Sequence, residues 1–242
     1  MNKGTDHQQQ IVLPFVPPLR FAFDSYMASR NSEAVAALRR VAGGESGGNI
    51  YLWGRPGTGK SHLLQAVCRA ARDRQRNAGY VPLNQIQDLA PAMFHGLEVL
   101  DLLCIDDLEC LAGKPEWELE LFHLFNRMRD AGMPLIFASR QGPQEIAIQL
   151  QDLKSRLAWD LGFLLLPMED DAIMRALQQR AADRSFALPD EIAQYIVTRC
   201  ARDTHSLFRL LDRLDEASLV RQKKLTIPLV RELLMGEPTQ EP

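Results

Sequence analysis

The stretch GRPGTGKS, residues 54–61, fits the pattern G-x-x-x-x-G-K-[ST] and constrains this chain more than any other segment. Glycines at 54, 57 and 59 let the backbone wrap closely and aim successive N–H groups at a phosphate chain. A helix that begins at Lys60 adds the positive end of its dipole. Lys60 is expected to reach the β- and γ-phosphates, and the Ser61 hydroxyl to ligate Mg²⁺. The flanks supply the context such a loop needs, with a strand before it (NIYLW) and a helix after it (KSHLLQAVCRAARDRQ). Arg55, Pro56, Gly57, Thr58, Gly59, Lys60, Ser61 and His62 are the candidate nucleotide contacts of this loop.

A loop of this kind closes one unit of an alternating α/β fold, and the rest of the chain agrees. NIYLWG (49–54), GYVPLN (79–84), LDLLCID (100–106), MPLIFAS (133–139) and GFLLLP (162–167) are short, nearly continuous apolar runs. That pattern predicts parallel strands buried on both faces. Helical stretches separate them. In EWELELFHLFNRMRDAG, Trp117, Leu121, Leu124, Phe125 and Met128 share a face predicted to pack on the core, while Glu118, Glu120 and Arg127 point elsewhere. After Pro167 the strands stop, and four helical segments follow from MEDDAIMRALQQRAADRSF to TIPLVRELLM. The expected architecture is a five-stranded parallel sheet between helices (21–167), then a small all-α domain (168–242). A proline-bearing extended tail (1–20) precedes both.

A loop that holds phosphates needs an acid at the end of a neighbouring strand to hold Mg²⁺ through water. LDLLCIDD supplies Asp106 for the metal, with Asp107 beside it to polarise an attacking water as general base. The next strand, PLIFAS, ends in Ser139, a residue of the right type to touch a γ-phosphate or the lytic water. The net charge of −3 gives no overall electrostatic reason to bind nucleic acid. Four cysteines (Cys68, Cys104, Cys110, Cys200) lack metal-site spacing and are expected to be reduced. No apolar run reaches the length of a membrane span, and MNKGTDHQQQ lacks the apolar centre of a signal peptide. The expectation is a cytoplasmic protein without a membrane partner.

YLWGRPGTGKSHLLQA, followed by IDDLECLAGK, ELFHLFNRM and LKSRLAW, resembles the AAA+ ATPase core of bacterial DnaA, and FAFDSYMASRN (21–31) resembles the segment leading into that core. The likeness runs over roughly residues 20–235. The sequence ends at Pro242, where DnaA continues into a helix-turn-helix domain. Together with RQKKLTIPLVREL (221–233), this is similar to the Hda family, the DnaA-related regulators that inactivate the initiator.

That resemblance implies several site roles. Hda-type proteins carry a Q-x-x-L-P-[LF] peptide for the sliding clamp (the β subunit of the replicative polymerase), and Gln10, Leu13, Pro14 and Phe15 fit that form. In DLKSRLAW, Arg156 occupies the family's arginine-finger position, which implies that it completes a neighbour's ATP site in trans. The base site is expected near Tyr26, Met27 and Asn31. The lid sensor position, usually arginine, is His205 here, with Arg202 and Arg209 about one turn to either side. The resemblance implies bound ADP or ATP with Mg²⁺, slow intrinsic turnover, DnaA and the clamp as partners, and contact with DNA only through the clamp. It leaves open a homo-oligomer and, as the alternative function, an independent AAA+ ATPase or a DnaC-type helicase loader.

Overall fold

The computed structural model describes residues 21–45, 48–85, 89–159, 161–183, 186–199, 207, 210–211, 213–214 and 226–235. Strands β1 (Ile50–Trp53), β2 (Ala78–Pro82), β3 (Leu102–Asp106), β4 (Leu135–Ser139) and β5 (Leu161–Leu164) form one sheet in the order β2-β3-β4-β1-β5. Every pairing is parallel. Each strand grew from one of the five apolar runs.

Side chains alternate across a strand, so each continuous apolar run feeds two cores. Ile50, Leu52, Leu102, Cys104, Ile136 and Ala138 face helices α1 (Ser32–Ala42) and α2 (Lys60–Arg72). Tyr51, Leu103, Ile105, Leu135 and Phe137 face α3 (Pro115–Asp130) and α4 (Gln151–Trp159). Cys68, Cys104 and Cys110 are free thiols, the first two fully buried. Cys200 lies outside the described residues.

Two expectations require correction. The run at β5 is not buried on both faces: Leu161 and Leu164 are 47% and 53% exposed. The cause is topological, because β5 is an edge strand paired only with β1. Glu118 does not point away from the core. It is buried, and its carboxylate accepts backbone N–H bonds from Gly113 (2.8 Å), Gln149 (2.9 Å) and Leu150 (2.8 Å). One donor precedes α3 directly and the other two come from a loop some thirty residues on, which helical periodicity could not reveal.

Beyond the sheet, α5 (Asp170–Asp183), α6 (Asp190–Arg199) and α7 (Ile227–Met235) share a separate apolar core. Leu207, Leu210, Leu211 and Leu214, also helical, complete it. Acids at the first turns of α5 and α6 complement the helix dipoles. Among the described residues, no helix is long and apolar enough to cross a membrane.

Candidate nucleotide-binding site

The loop between β1 and α2 has the shape its glycines predict. Gly54 adopts φ 152°, and a Cβ there would sit 2.5 Å from the Leu165 carbonyl oxygen. Gly59 adopts φ 87°, and its Cβ would sit 2.5 Å from the Tyr26 ring. Any larger residue at either position must displace backbone or a packed aromatic. Lys60 opens α2, and its ammonium donates to the carbonyls of Gly54 (2.7 Å) and Arg55 (3.2 Å). Burial holds its pKa below the usual lysine value, against the pull of Asp106, Glu109 and Asp107. The Thr58 hydroxyl also turns inward, donating to the Arg55 carbonyl (2.9 Å).

A cavity of about 320 Å³ lies over this loop. Pro56, Gly57, Gly59, Lys60 and Ser61 form its floor. Phe21, His62, Asn84, Asp107 and Arg140 complete its lining. The sheet order explains why Asp107 and Arg140 are among them. β4 and then β3 lie beside β1, with Ser139 in register with Trp53. The residues that follow β3 and β4 therefore emerge next to the loop.

Asp106 ends β3 and is buried. Its carboxylate accepts from the Tyr80 hydroxyl (2.7 Å) and the Asp107 backbone N–H (2.9 Å). The same contact, with burial as the larger cause, raises the Tyr80 pKa. Asp107 has φ 54°, a left-handed conformation that Asp tolerates better than most residues. Its carboxyl pKa is pushed up to about 6, first by burial and then by Asp106 and Glu109, with Arg140 and Lys60 opposing. A carboxyl that titrates close to neutrality suits a general base.

Ser139 is fully buried, its hydroxyl accepting from the Gln141 N–H (3.2 Å). The next residue, Arg140, lines the cavity instead. Its Nε lies 3.1 Å from Glu109 Oε1, and its backbone N–H donates to Glu109 Oε2 (3.2 Å). Asn84, Glu109 and Arg140 escape a sequence reading for one reason: which residue of a strand-end turn faces the loop depends on register, and the residue types alone do not fix it. Tyr80 escapes because a tyrosine in an apolar run reads as core.

The proposed base-site residues have separate placements. The Tyr26 hydroxyl donates to the Thr58 carbonyl (3.1 Å), and burial raises its pKa. Asn31 donates to the Tyr26 oxygen (2.9 Å) and to the Leu166 carbonyl (3.0 Å), and accepts from the Leu166 N–H (2.9 Å). It clips the N-terminal segment to the connection entering α5. Met27 is half-buried nearby. Phe21 stacks on His62 with centroids 4.5 Å apart, and His62 Nε2 lies 3.0 Å from the Ala22 carbonyl oxygen.

Arg156 is not brought to this loop. It lies on α4, which leads into the start of β5, and its guanidinium sits over Phe125 and Phe122 at 5.8 and 6.0 Å. It lines a second cavity, about 420 Å³, with Asn49, Pro134 and the exposed Trp159. Asn49 and Pro134 precede β1 and β4, so this cavity is at the opposite end of the sheet from the loop. A four-residue strand separates the two ends by on the order of 13 Å. Gln10, Leu13, Pro14, Phe15, Arg202, His205 and Arg209 lie outside the described residues.

The residues present fit a nucleotide with a divalent cation. The loop and the N-terminus of α2 line an open cavity that Ser61 also lines, and Asp106 ends β3, one strand removed from β1. Among the described residues, no three His, Cys, Asp or Glu side chains cluster as a self-sufficient metal site. That suits a Mg²⁺ held largely by phosphate and water, with one or two protein oxygens.

A parallel sheet in this order, with a phosphate-type loop after β1, an acid pair after β3 and a helical domain after β5, defines an AAA+ protein. Two family models partition the chain: that of the bacterial DnaA ATPase domain matches residues 18–163, and that of the Hda lid domain matches residues 170–234. The chain belongs to the DnaA-related AAA+ family of replication initiation and carries a lid of the Hda type. Domain III of the Thermotoga maritima replication initiation protein DnaA is similar to it, with a TM-score of 0.73 and 24% identity over 88% of this chain and 95% of that one. AMPPCP-bound DnaA from Aquifex aeolicus gives 0.68 and 22% identity over 83% and 66%. The Thermotoga maritima RuvB branch migration motor gives 0.66 and 18% over 90% and 72%, marking the fold alone.

Proposed function

We propose that this protein is a nucleotide-bound regulator of replication initiation that promotes hydrolysis of ATP held by DnaA. The observation that carries the reading is the position of Arg156, beside an open cavity at the end of the sheet away from its own loop. From there it cannot serve its own nucleotide and is free to serve one on a neighbour. A guanidinium placed on a terminal phosphate stabilises charge that develops in the transition state, worth about 10³–10⁵ in rate for such fingers.

In this reading the chain's own loop holds ADP or ATP, with Lys60 turned from the Gly54 carbonyl to the phosphates. Ser61 would ligate Mg²⁺ and Asp106 would hold it through water; the cation neutralises phosphate charge and orients the chain. Asp107 is the base candidate for intrinsic turnover. Met27, with Tyr26 and Asn31 behind it, borders the base side, and the lid sensor role falls to His205. Ser139 supports the γ-phosphate side from below the cavity wall. Residues 1–20 form a tail in which Gln10, Leu13, Pro14 and Phe15 bind the sliding clamp. This tether raises the effective concentration of a weak DnaA contact. Hydrolysis to ADP on DnaA would then prevent re-initiation. DNA enters only through the clamp.

The raised Asp107 pKa favours a second reading, an independent AAA+ ATPase or a DnaC-type helicase loader. One experiment separates them: ATP hydrolysis by DnaA with DNA-loaded clamp, with and without this protein, alongside Gln10→Ala and Arg156→Ala. Acceleration by wild type and failure of both variants is expected. No acceleration, or variants equal to wild type, would overturn the regulator reading and leave the ATPase or loader.

A further inference from the structure

Glu118 is a buried acid that does not line the nucleotide cavity, and what it holds is the start of α4, the helix that carries Arg156. We infer that Glu118 is a positioning residue for Arg156: its carboxylate fixes the register of α4 against α3 and so sets where the guanidinium is presented to a neighbouring subunit's nucleotide. This rests on the finger reading of Arg156 and adds the residue that aims it.

The carboxylate is gripped from two sides. Its Oε1 accepts from the Gly113 N–H, just before α3, and its Oε2 from the N–H groups of Gln149 and Leu150. Leu150 is the residue before α4, and its carbonyl accepts the first bond of that helix, from the Lys154 N–H (3.0 Å). Oε2 therefore takes the backbone where α4 begins, and its charge complements the positive end of the helix. The Gly113 bond holds the other oxygen, so the carboxylate cannot turn away from α4 without giving up a donor. Among the described residues no ion pair reaches Glu118, and these N–H groups are what make its burial tolerable.

Further along, the same face of α3 meets the finger. Glu118, Phe122 and Phe125 recur at i, i+4 and i+7, and the Arg156 guanidinium lies over both rings. Helix α4 rises about 9 Å from Leu150 to Arg156, and α3 about 6–10 Å from Glu118 to the two phenylalanines. The helices thus run side by side with two attachments in step. Between these, Leu153 and Leu157 are buried in the core they share with Leu121 and Leu124. Such burial is non-directional and lets a helix slide; charge-assisted hydrogen bonds of fixed length do not. Lys154 adds a bond to the Ile146 carbonyl (3.1 Å), but from a flexible stem. Precision matters here because a displacement of about 1 Å can cost on the order of 10² in rate.

The test is hydrolysis of DnaA-bound ATP with DNA-loaded clamp, titrated to saturation with wild type, Glu118→Gln, Glu118→Ala, Arg127→Ala and Arg156→Ala, each at a temperature where circular dichroism shows it folded. Glu118→Gln is expected to lower the saturating rate about ten- to hundredfold and to leave the half-saturating concentration within about threefold. Glu118→Ala should lose at least as much; if it does not fold, the glutamine variant carries the test. Arg127→Ala loses bonds from α3 to Glu98 and the Phe94 carbonyl, none of them to α4, and should keep the saturating rate. In the isolated chain, amide exchange in Glu118→Gln should quicken over residues 149–155 and stay unchanged in α2. A full saturating rate in Glu118→Gln, with Arg156→Ala inactive, would overturn this inference and leave the finger reading standing. Exchange quickened equally in α2 and α4 would make Glu118 a general brace and overturn it too. Arg156→Ala equal to wild type would overturn both.

Discussion

Replacing Asn31 with alanine should weaken the whole protein, although no apolar contact is lost. Its amide makes three hydrogen bonds, two to Leu166 and one to the Tyr26 oxygen, from a side chain only 6% exposed. Each contributes about 1 kcal/mol net, and orphaned partners cost more when they stay dry. Leu166 is half-exposed, so water can recover part of its loss; Tyr26 keeps its bond to Thr58. The expected loss is about 2–3 kcal/mol, or roughly 5–10 °C in Tm for a domain of this size. Asn31→Asp keeps an acceptor for the Leu166 N–H but removes both donors and sets a carboxylate against the Leu166 carbonyl. It should lose at least as much. Urea denaturation of the ligand-free chain, followed by circular dichroism, measures both. A change below about 0.5 kcal/mol in Asn31→Ala would refute the view that this residue holds the N-terminal segment to the entry of α5.

Three further outcomes follow from the same geometry. Asp107 titrates near 6 in the folded chain and near 3.9 unfolded, so the folded state binds the extra proton between those values and stability falls as pH rises through 6. Asp107→Asn should therefore stabilise the ligand-free chain at pH 7.5 by about 1 kcal/mol, after allowing for the half-exposed site, and the gain should vanish near pH 4; a pH-independent difference would contradict this. Glu118→Gln should cost about 2–3 kcal/mol in urea melts, since an amide has one acceptor oxygen for three N–H groups on two sides, and a neutral result would show that the loops rearrange. Tyr80→Phe removes a donor from buried Asp106 and should cost about 1–3 kcal/mol while altering the Mg²⁺ dependence of nucleotide binding; loss of stability with unchanged Mg²⁺ dependence would confine Tyr80 to the core.

What was legible in the sequence was whatever repeats locally. The five strands could be read because burial on two faces forces continuous apolar runs, and α2 because glycine, lysine and serine mark its start. β5 looked the same as the others in one dimension; that it is an edge depends on sheet order, which no local pattern encodes. Glu118 departs from its local pattern for a related reason. Its charge and helical phase both place it outside, and only the two loops that donate to it make burial tolerable. At the candidate site, the loop and the two acids were readable because their spacing is their chemistry. Arg140 was hidden behind Ser139, since a one-residue difference at a strand end decides which side chain meets the cavity and which meets Tyr51.

The two cavities sit at opposite ends of one short sheet, and this separation limits how the proposed activity can be regulated. A rigid parallel sheet cannot bring Arg156 to its own loop, so the proposed finger would have a substrate only in an assembly. Whatever occupies the chain's own loop can influence that assembly only through elements that touch both the loop and other parts of the molecule. The Thr58–Tyr26–Asn31–Leu166 chain of hydrogen bonds is such a connection, running from the loop to the entry of the helical domain. If the loop holds different nucleotides differently, the change should reach the lid by this route. Nucleotide state would then set lid orientation, while Arg156 at the far end keeps its geometry. A nucleotide-dependent change in amide exchange should accordingly appear at residues 164–172 and be absent from α4. Equal protection changes in both places would mean that the sheet transmits the signal instead.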